Sequence, residues 1–354
     1  MEIVGSSERG GEISFKDEEI QPSASVSLVS KFAHLCSAPF FRLSESLHYS
    51  FLPLHPGEYG QKNSKQLEVV RRVLWGAFQL PAYGVALPFA AVGLFCHGIS
   101  NLMNRMVYRM DRGMFSGEMN KHTTLMTLNP RMYRSFPLSD HCGVMPWKER
   151  HDQLVRTVRD NNPDILFLPE MNASARNALR KELDDRYHYF FSSMGRCTLG
   201  FEASFFIAFR GKLESKPEYV RFSNQGLVTE RGFFHFEANQ THYFCTASPT
   251  LQDMEEMSEK VKEGKKVVFL MDTTFEKTSA ECAFLKERGF TSIAVKETNA
   301  PAAHLYGTPL EENANEGIFM RGTKGEADIV PMHHDQKIDE ALSDKPMFFI
   351  KTLA

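Results

Sequence analysis

An excess of charge of either sign is missing from these 354 residues, in which 41 Lys and Arg stand against 44 Asp and Glu for a formal net charge of −3. That balance gives no global electrostatic pull on nucleic acid, so any such binding would have to be local. Cysteine is sparse. Cys36, Cys96, Cys142, Cys197, Cys245 and Cys282 are scattered, with no CxxC pair and no cysteine–histidine spacing of the zinc type, which argues for reduced, mostly buried thiols and against a disulfide framework or zinc module. There is no GxGxxG, no P-loop and no GxSxG nucleophile elbow, so those dinucleotide, nucleotide and acyl-transfer signatures are absent. Tryptophan occurs twice against 29 Phe; Phe fills cores and names no ligand. The first 27 residues lack an apolar run near the start, so they do not form a cleavable secretory signal. Residues 1–65 instead suit a polar, partly disordered leader with a short amphipathic helix around Val26 to Phe41.

What is present is an ordinary globular composition, 42% hydrophobic and 24% charged, which excludes collagen-like, fully disordered and coiled-coil classes. A mean hydropathy of −0.33 excludes a polytopic membrane protein but hides a local exception. No formally charged residue occurs from Val73 to Asn104, and Val73 to Cys96 is a 24-residue apolar run broken only by Gln79, Tyr83, glycines and prolines. A helix of about 20 apolar residues spans a bilayer core. Pro81 and Pro88 each remove a helical hydrogen bond, which membrane helices tolerate better than soluble ones. Arg71 and Arg72 precede the run and Arg105, Arg109 and Arg112 follow it, so the positive-inside rule selects no orientation. Residues 66–112 therefore read as a membrane-associating segment, either a single crossing or a shallow hairpin whose basic flanks meet anionic headgroups. A buried helical hairpin of a soluble domain is the alternative.

From residue 121 to 354 short β-like runs alternate with charged helical patterns. Thr123 to Asn129 is a β-type run stopping at Asn-Pro. Helical i, i+3, i+4, i+7 spacing follows from His151 through Leu154, Val155 and Val158. Ile165 to Leu168 is an uninterrupted apolar strand, of the kind buried on both faces. A helix is expected over Ala173 to Asp185 and strands near Tyr187 to Ser193, Ala203 to Phe209, Gly232 to Ala238 and Thr241 to Ala247. Then come a helix over Leu251 to Glu263, the strand in KKVVFLMDTTF, a helix over Ser279 to Arg288, a strand over Thr291 to Val295 and a terminal strand in LSDKPMFFIKTLA.

Three apolar strands thus end in groups able to meet a hard cation or a phosphate: Asn129, Glu170 and Asp272. Ligand sites of α/β folds gather at such strand ends, and Mg²⁺ takes one or two carboxylates while keeping waters and substrate phosphates. TLMTLNPRMY, the helix WKERHDQLVRTVRDNNPD and ILFLPEM together resemble the opening of the endonuclease/exonuclease/phosphatase superfamily. There, a strand ending in Asn is followed by a helix, the phrase NPDI and a strand ending in Gln-Glu. VVFLMDTTF resembles the family strand ending Gly-Asp-x-Asn, and LSDKP its terminal Ser-Asp-His-x-Pro.

The resemblance implies a four-layer α/β/β/α sandwich of DNase I-like type over residues 121–354, preceded by the hydrophobic helical segment. It further implies a Mg²⁺ or Mn²⁺ cofactor and a phosphoester substrate, whether a lipid headgroup, a small phosphoester or nucleic acid. Asn129 and Glu170 would contact the metal and its surroundings, Asp272 would orient or deprotonate the attacking water, and Asp344 would be the carboxylate beside the final catalytic position. Four positions depart from the pattern: Pro169 for Gln, Thr274 for the Asn that holds the scissile phosphate, Ser248 for the mid-domain His, and Lys345 for the terminal His. A protonated lysine retains charge for a phosphate but not the near-neutral titration of an imidazole. Two functions follow as expectations: a membrane-tethered hydrolase, or an inactive family member serving as a membrane-anchored binding or adaptor protein. Among lesser candidates, Ser139-Asp140-His141 reads as a turn, His333-His334-Asp335 as a solvated loop, and Glu316 as a loose match to a family Asp preceding a strand.

Overall fold

A computed structural model of the chain describes residues 23–51, 65–103, 108–117, 119, 123–130, 132, 147–195, 204–225, 230–261, 263–276, 279–292, 314–330 and 347–353. Ahead of the α/β unit stand two helices, α1 (Ala24–Phe51) and α2 (Lys65–Met103). The helical part of the supposed leader is therefore longer than its amphipathic stretch alone suggested. The apolar run contains no internal turn: α2 is continuous through Pro81 and Pro88, so a hairpin confined to residues 73–96 is ruled out, and the reversal lies between α1 and α2. The two helices run antiparallel, with Ser100 Oγ donating to the Val26 carbonyl at one end and Phe40 edge-on to Tyr83 at 5.5 Å further along. Their seam is made of small residues. Ala33, Ser37, Ala86 and Ala90 are buried, and a Cβ on Gly93 would lie 2.7 Å from the Ala33 carbonyl oxygen, so the backbones approach as closely as small residues permit.

The remainder is built on two sheets. β1 (Arg109–Arg112), β2 (Thr124–Thr127), β3 (Ile165–Met171), β4 (Tyr189–Ser192), β5 (Ser204–Phe209), β12 (Lys324–Val330) and β13 (Met347–Leu353) form the first, in the order β1-β4-β5-β3-β2-β13-β12. β6 (Glu218–Arg221), β7 (Gly232–Ala238), β8 (Thr241–Ala247), β9 (Lys266–Glu276), β10 (Thr291–Ser292) and β11 (Ala314–Arg321) form the second, in the order β10-β11-β9-β8-β7-β6. Helices α3 (Trp147–Asn161), α4 (Ala173–Glu182), α5 (Leu251–Glu259) and α6 (Ala280–Glu287) complete the unit.

Burial gives the layer order. Leu125, Ile165, Phe167, Phe191 and Phe209 of the first sheet share one core with Phe234, Phe236, Tyr243, Val268 and Leu270 of the second. The opposite face of the first sheet, Met126, Leu166 and Leu168, packs on Leu154 and Val158 of α3 and Leu179 of α4. Phe244, Val267 and Phe269 on the outer face of the second sheet pack on Met254 and Met257 of α5 and Leu285 of α6. The fold is the expected α/β/β/α sandwich, and β3 has no polar alternation because its successive side chains enter two different cores. Each buried Phe contributes roughly 1.5 to 3 kcal/mol, which is where the phenylalanine excess goes.

Only two strand pairs among the described residues are parallel, β2 with β3 and β8 with β9. A parallel pair needs a long crossover, supplied by α3 in one sheet and α5 in the other. Each sheet therefore has a central β-α-β unit with two C-terminal strand ends side by side. β1 lies ahead of residue 121, and its carboxylate Asp111 is buried against Arg109 at 2.8 Å and Arg180 at 3.9 Å. Tyr108 just before it donates its hydroxyl to the Pro217 carbonyl at 2.8 Å, and burial pushes that phenol up to about 12. Of the thiols, those of Cys36, Cys96 and Cys245 are free, and burial raises the pKa of Cys245.

Candidate functional site

The two central units meet at one point. Asn129, two residues beyond β2, donates its side-chain amide to the Asp272 carboxylate of β9 at 2.7 Å, linking the first sheet to the second across 143 residues of sequence. Both side chains are buried, at 4% and 8% exposure. A charge-assisted bond in such surroundings is stronger than a neutral one. Asp272 does not end its strand as expected. β8 stops opposite it, at Ala247, whereas β9 continues to Glu276 because β11 remains paired with it. Asp272 is therefore the first β9 residue without a β8 neighbour beyond it, where the sheet opens.

Ser248 fills the gap. Its hydroxyl donates to the Asp272 carbonyl at 3.2 Å, and its own carbonyl accepts from Arg231 at 3.4 Å. Arg231 is anchored by Asp253 at 2.5 Å, a fully buried carboxylate that also closes the capping box of α5 with Thr250. Ser248 is thus tied into the turn as a structural hydroxyl.

Glu170 lies one strand from Asn129, at the same end of the first sheet, in register terms three residues beyond the Thr127–Phe167 pair. It is half-buried in an otherwise buried strand and has φ +54°. Pro169 explains this: lacking an N–H, it cannot continue the ladder, and the pairing of β3 with β5 shifts between Leu168 and Met171. Ser193 (φ +53°) and Ser248 (φ +41°) share the left-handed conformation. Such backbone costs roughly 1 to 3 kcal/mol per residue and clusters at functional sites. Among the described residues Asn162, Asn239 and Gln240 also have positive φ, after α3 and in the β7–β8 turn, so two of the six such positions, Glu170 and Ser248, are ones the sequence had already singled out.

Thr274 lies in β9 with its backbone paired to Glu316. Glu316 is accordingly within β11 and does not precede it. Asp344, Lys345, Ser139 to His141 and His333 to Asp335 lie outside the described residues. The donor set at this end is all oxygen: the Glu170 and Asp272 carboxylates and the Asn129 amide. That set fits a hard cation in kind. Among the described residues no three His, Cys, Asp or Glu side chains come together, and Mg²⁺ does not require it, since waters and substrate phosphate complete its shell. Glu170 is the residue that would hold the ion, with Asn129 and Asp272 beside it.

Three residues at this end escaped the sequence reading. Asn172 caps α4 and donates from its side chain to the Met132 carbonyl at 2.6 Å. Arg150 and Arg176 are both 2% exposed. The available signal was helical phase: Arg150 precedes Leu154 by one turn, and Arg176 precedes Leu179 by three residues, so each occupies the apolar stripe of its helix.

No family model matches the sequence, and no curated protein sequence matches it significantly. Solved structures do. TDP2 of D. rerio, in complex with a single-strand DNA product, is 13% identical over 66% of this chain and 100% of its own, with a TM-score of 0.48. A functionally unknown conserved protein from Enterococcus faecalis is 12% identical over 65% and 99%, also at 0.48. An endonuclease/exonuclease/phosphatase from Bacteroides vulgatus is 13% identical over 66% and 98%, at 0.44. The α/β/β/α chain described above is similar in structure to members of the endonuclease/exonuclease/phosphatase superfamily.

Proposed function

We propose that this chain is a membrane-tethered, Mg²⁺-dependent phosphoester hydrolase, acting on a phosphodiester or phosphomonoester of a lipid headgroup or other small phosphoester. The observation that carries the reading is the Asn129–Asp272 hydrogen bond, which brings residues of both sheets together at the strand ends where Glu170 also lies. A bound Mg²⁺ would neutralise phosphate charge and polarise the ester. Asp272, oriented by the Asn129 amide and shielded from bulk water, would hold the attacking water. Asn129, its amide directed at Asp272, keeps that carboxylate in one rotamer. Lys345 would supply positive charge to the phosphate without serving as a base at neutral pH.

Membrane tethering is supported by the helix pair. Val73–Ser100 is long and apolar enough to cross a bilayer, and only 17% of its most apolar window is buried. Phe78, Val85 and Phe95 are 85%, 68% and 71% exposed, which for a soluble core helix is the wrong way round. The near-neutral charge and this apolar surface favour a lipid or small phosphoester over nucleic acid.

A second reading, a phosphoester-binding adaptor without turnover, is favoured by Ser248, whose hydroxyl is spent on the Asp272 carbonyl. The deciding experiment uses the detergent-purified full chain, assayed for hydrolysis of bis(p-nitrophenyl) phosphate with and without Mg²⁺ or Mn²⁺. Metal-dependent turnover lost in Glu170→Ala supports the hydrolase. Metal binding without turnover, restored to turnover by Lys345→His, identifies the adaptor and the position that disabled it. A wild type indifferent to both metals sinks the hydrolase reading.

A further inference from the structure

Two buried arginines grip the backbone immediately after the two candidate site residues of the first sheet. From α3, Arg150 donates Nη1 to the carbonyl of Pro130, the residue following Asn129, at 2.6 Å. From α4, Arg176 donates Nη1 to the carbonyl of Met171, the residue following Glu170, at 2.9 Å, and Nη2 to the Ser193 hydroxyl at 3.2 Å. Each helix follows the strand end that its arginine or its cap holds. The two loops are also joined to one another: the Asn172 backbone N–H and side-chain amide both donate to the Met132 carbonyl, at 2.7 and 2.6 Å, and Met132 bridges Met171 in parallel.

Burying a guanidinium is costly unless its donors are satisfied. A buried methionine or leucine would fill either position of an amphipathic helix at lower cost, so fold stability alone does not call for arginine there. What arginine provides is a planar donor fork of fixed geometry, which a methionine or leucine could not offer to the Pro130 and Met171 carbonyls. Glu170 needs such support more than most residues, because its φ of +54° sits within a register shift and would relax if the Met171 carbonyl were released.

We propose that Arg150 and Arg176 are positioning residues: by clamping the Pro130 and Met171 carbonyls from beneath, they hold Asn129 and Glu170 in the geometry that receives the cation. This rests on the metal-dependent reading above. Asn129 and Glu170 would be the contacting groups; the arginines act only through them.

The test is titration of the detergent-purified full chain with Mn²⁺ and Mg²⁺, followed by calorimetry and by the shift in Tm, for wild type, Arg176→Met, Arg176→Lys, Arg150→Lys and Leu179→Ala. Leu179 lies in the same helix as Arg176 and packs in the core, so its variant measures destabilisation alone. Metal affinity weakened at least tenfold in Arg176→Met, weakened to a smaller but measurable degree in both Arg176→Lys and Arg150→Lys, and unchanged in Leu179→Ala supports positioning. Should Arg176→Met not fold, the two lysine variants carry the comparison. A wild type that binds metal and arginine variants that bind it equally well, whatever their Tm, overturns the positioning role and leaves the hydrolase reading standing. A wild type that does not bind either metal overturns both.

Discussion

At the scale of single residues, one buried hydrogen bond joins Asn129 of the first sheet's strand end to Asp272 of the second sheet, and its worth can be measured. The Asn129 amide and Asp272 carboxylate are both nearly excluded from solvent, and a bond to a charged acceptor contributes about 1.5 to 3 kcal/mol. Asn129→Ala leaves the carboxylate short of a donor and is expected to lower stability by about 2 kcal/mol, while Asp272→Asn costs less because no charge is stranded. Combining the two should cost less than their sum, a coupling of about 1 to 2 kcal/mol in a denaturation double-mutant cycle. Strict additivity would mean the bond is not formed in solution.

His151 offers a second test. It stacks edge-on to Trp147 at 5.9 Å, and desolvation lowers its pKa, opposed in part by Asp152 and Glu182. Because the folded value lies below the unfolded one, the unfolded chain binds more protons in the window below about pH 6.5. The associated stability is therefore whole above that pH and diminishes as pH falls through it. Between about pH 7.5 and 5.5 the wild-type Tm should drop further than that of His151→Gln; equal slopes would remove His151 as a contributor.

Among elements, α1 and α2 present two glycines with opposite demands. A Cβ at Gly93 would meet the Ala33 carbonyl oxygen at 2.7 Å and the Ser37 backbone nitrogen at 2.9 Å, whereas at Gly84 nothing lies within 4 Å. Gly84→Ala should therefore stabilise α2 by up to about 1 kcal/mol, the helix-propensity difference. Gly93→Ala forces the backbones apart and should lower the melting temperature of the helical signal by circular dichroism. Matching effects at the two glycines would contradict the close seam.

How legible such elements were depended on their place in the sheets. β7 and β8 fall where alternating and continuous apolar runs put them, because central strands are specified by two faces of core. β1, β6, β11 and β12 were not anticipated, and three of them, β1, β6 and β12, are edge strands with sequences RMDR, EYVR and KGEADIV, although the remaining edge, β10, was expected. Charge on an edge strand prevents further pairing, and the same charge removes the period that would reveal the strand. The site shows a related division. Asn129, Asp272 and Ser248 stood out through motif order, and the structure joins them. Arg150 and Arg176 did not, since an arginine in a helix ordinarily reads as a solvated face, and only the carbonyl it reaches reveals otherwise.

For the molecule as a whole, the disparity between its two parts is the strongest constraint. Most of the described phenylalanines of the sandwich are buried, whereas the helix pair exposes Phe78, Leu80, Val85, Leu87 and Phe95 at 58% or more. Exposed large apolar side chains in such number point to a covered face, and the span Val73–Ser100 is long and apolar enough to cross a bilayer. A lysine at the centre of a membrane helix costs about 2.5 to 3.5 kcal/mol on insertion scales, so Phe78→Lys with Val85→Lys should forfeit about 5 to 7 kcal/mol of insertion. Neither side chain is in the seam with α1, so the helix pair should still form. Expressed in cells, the wild type should sediment with membranes and withstand alkaline carbonate, while the double variant should move to the soluble fraction with the sandwich still folded. Recovery of the wild type in the soluble fraction would show instead that this surface has another occupant.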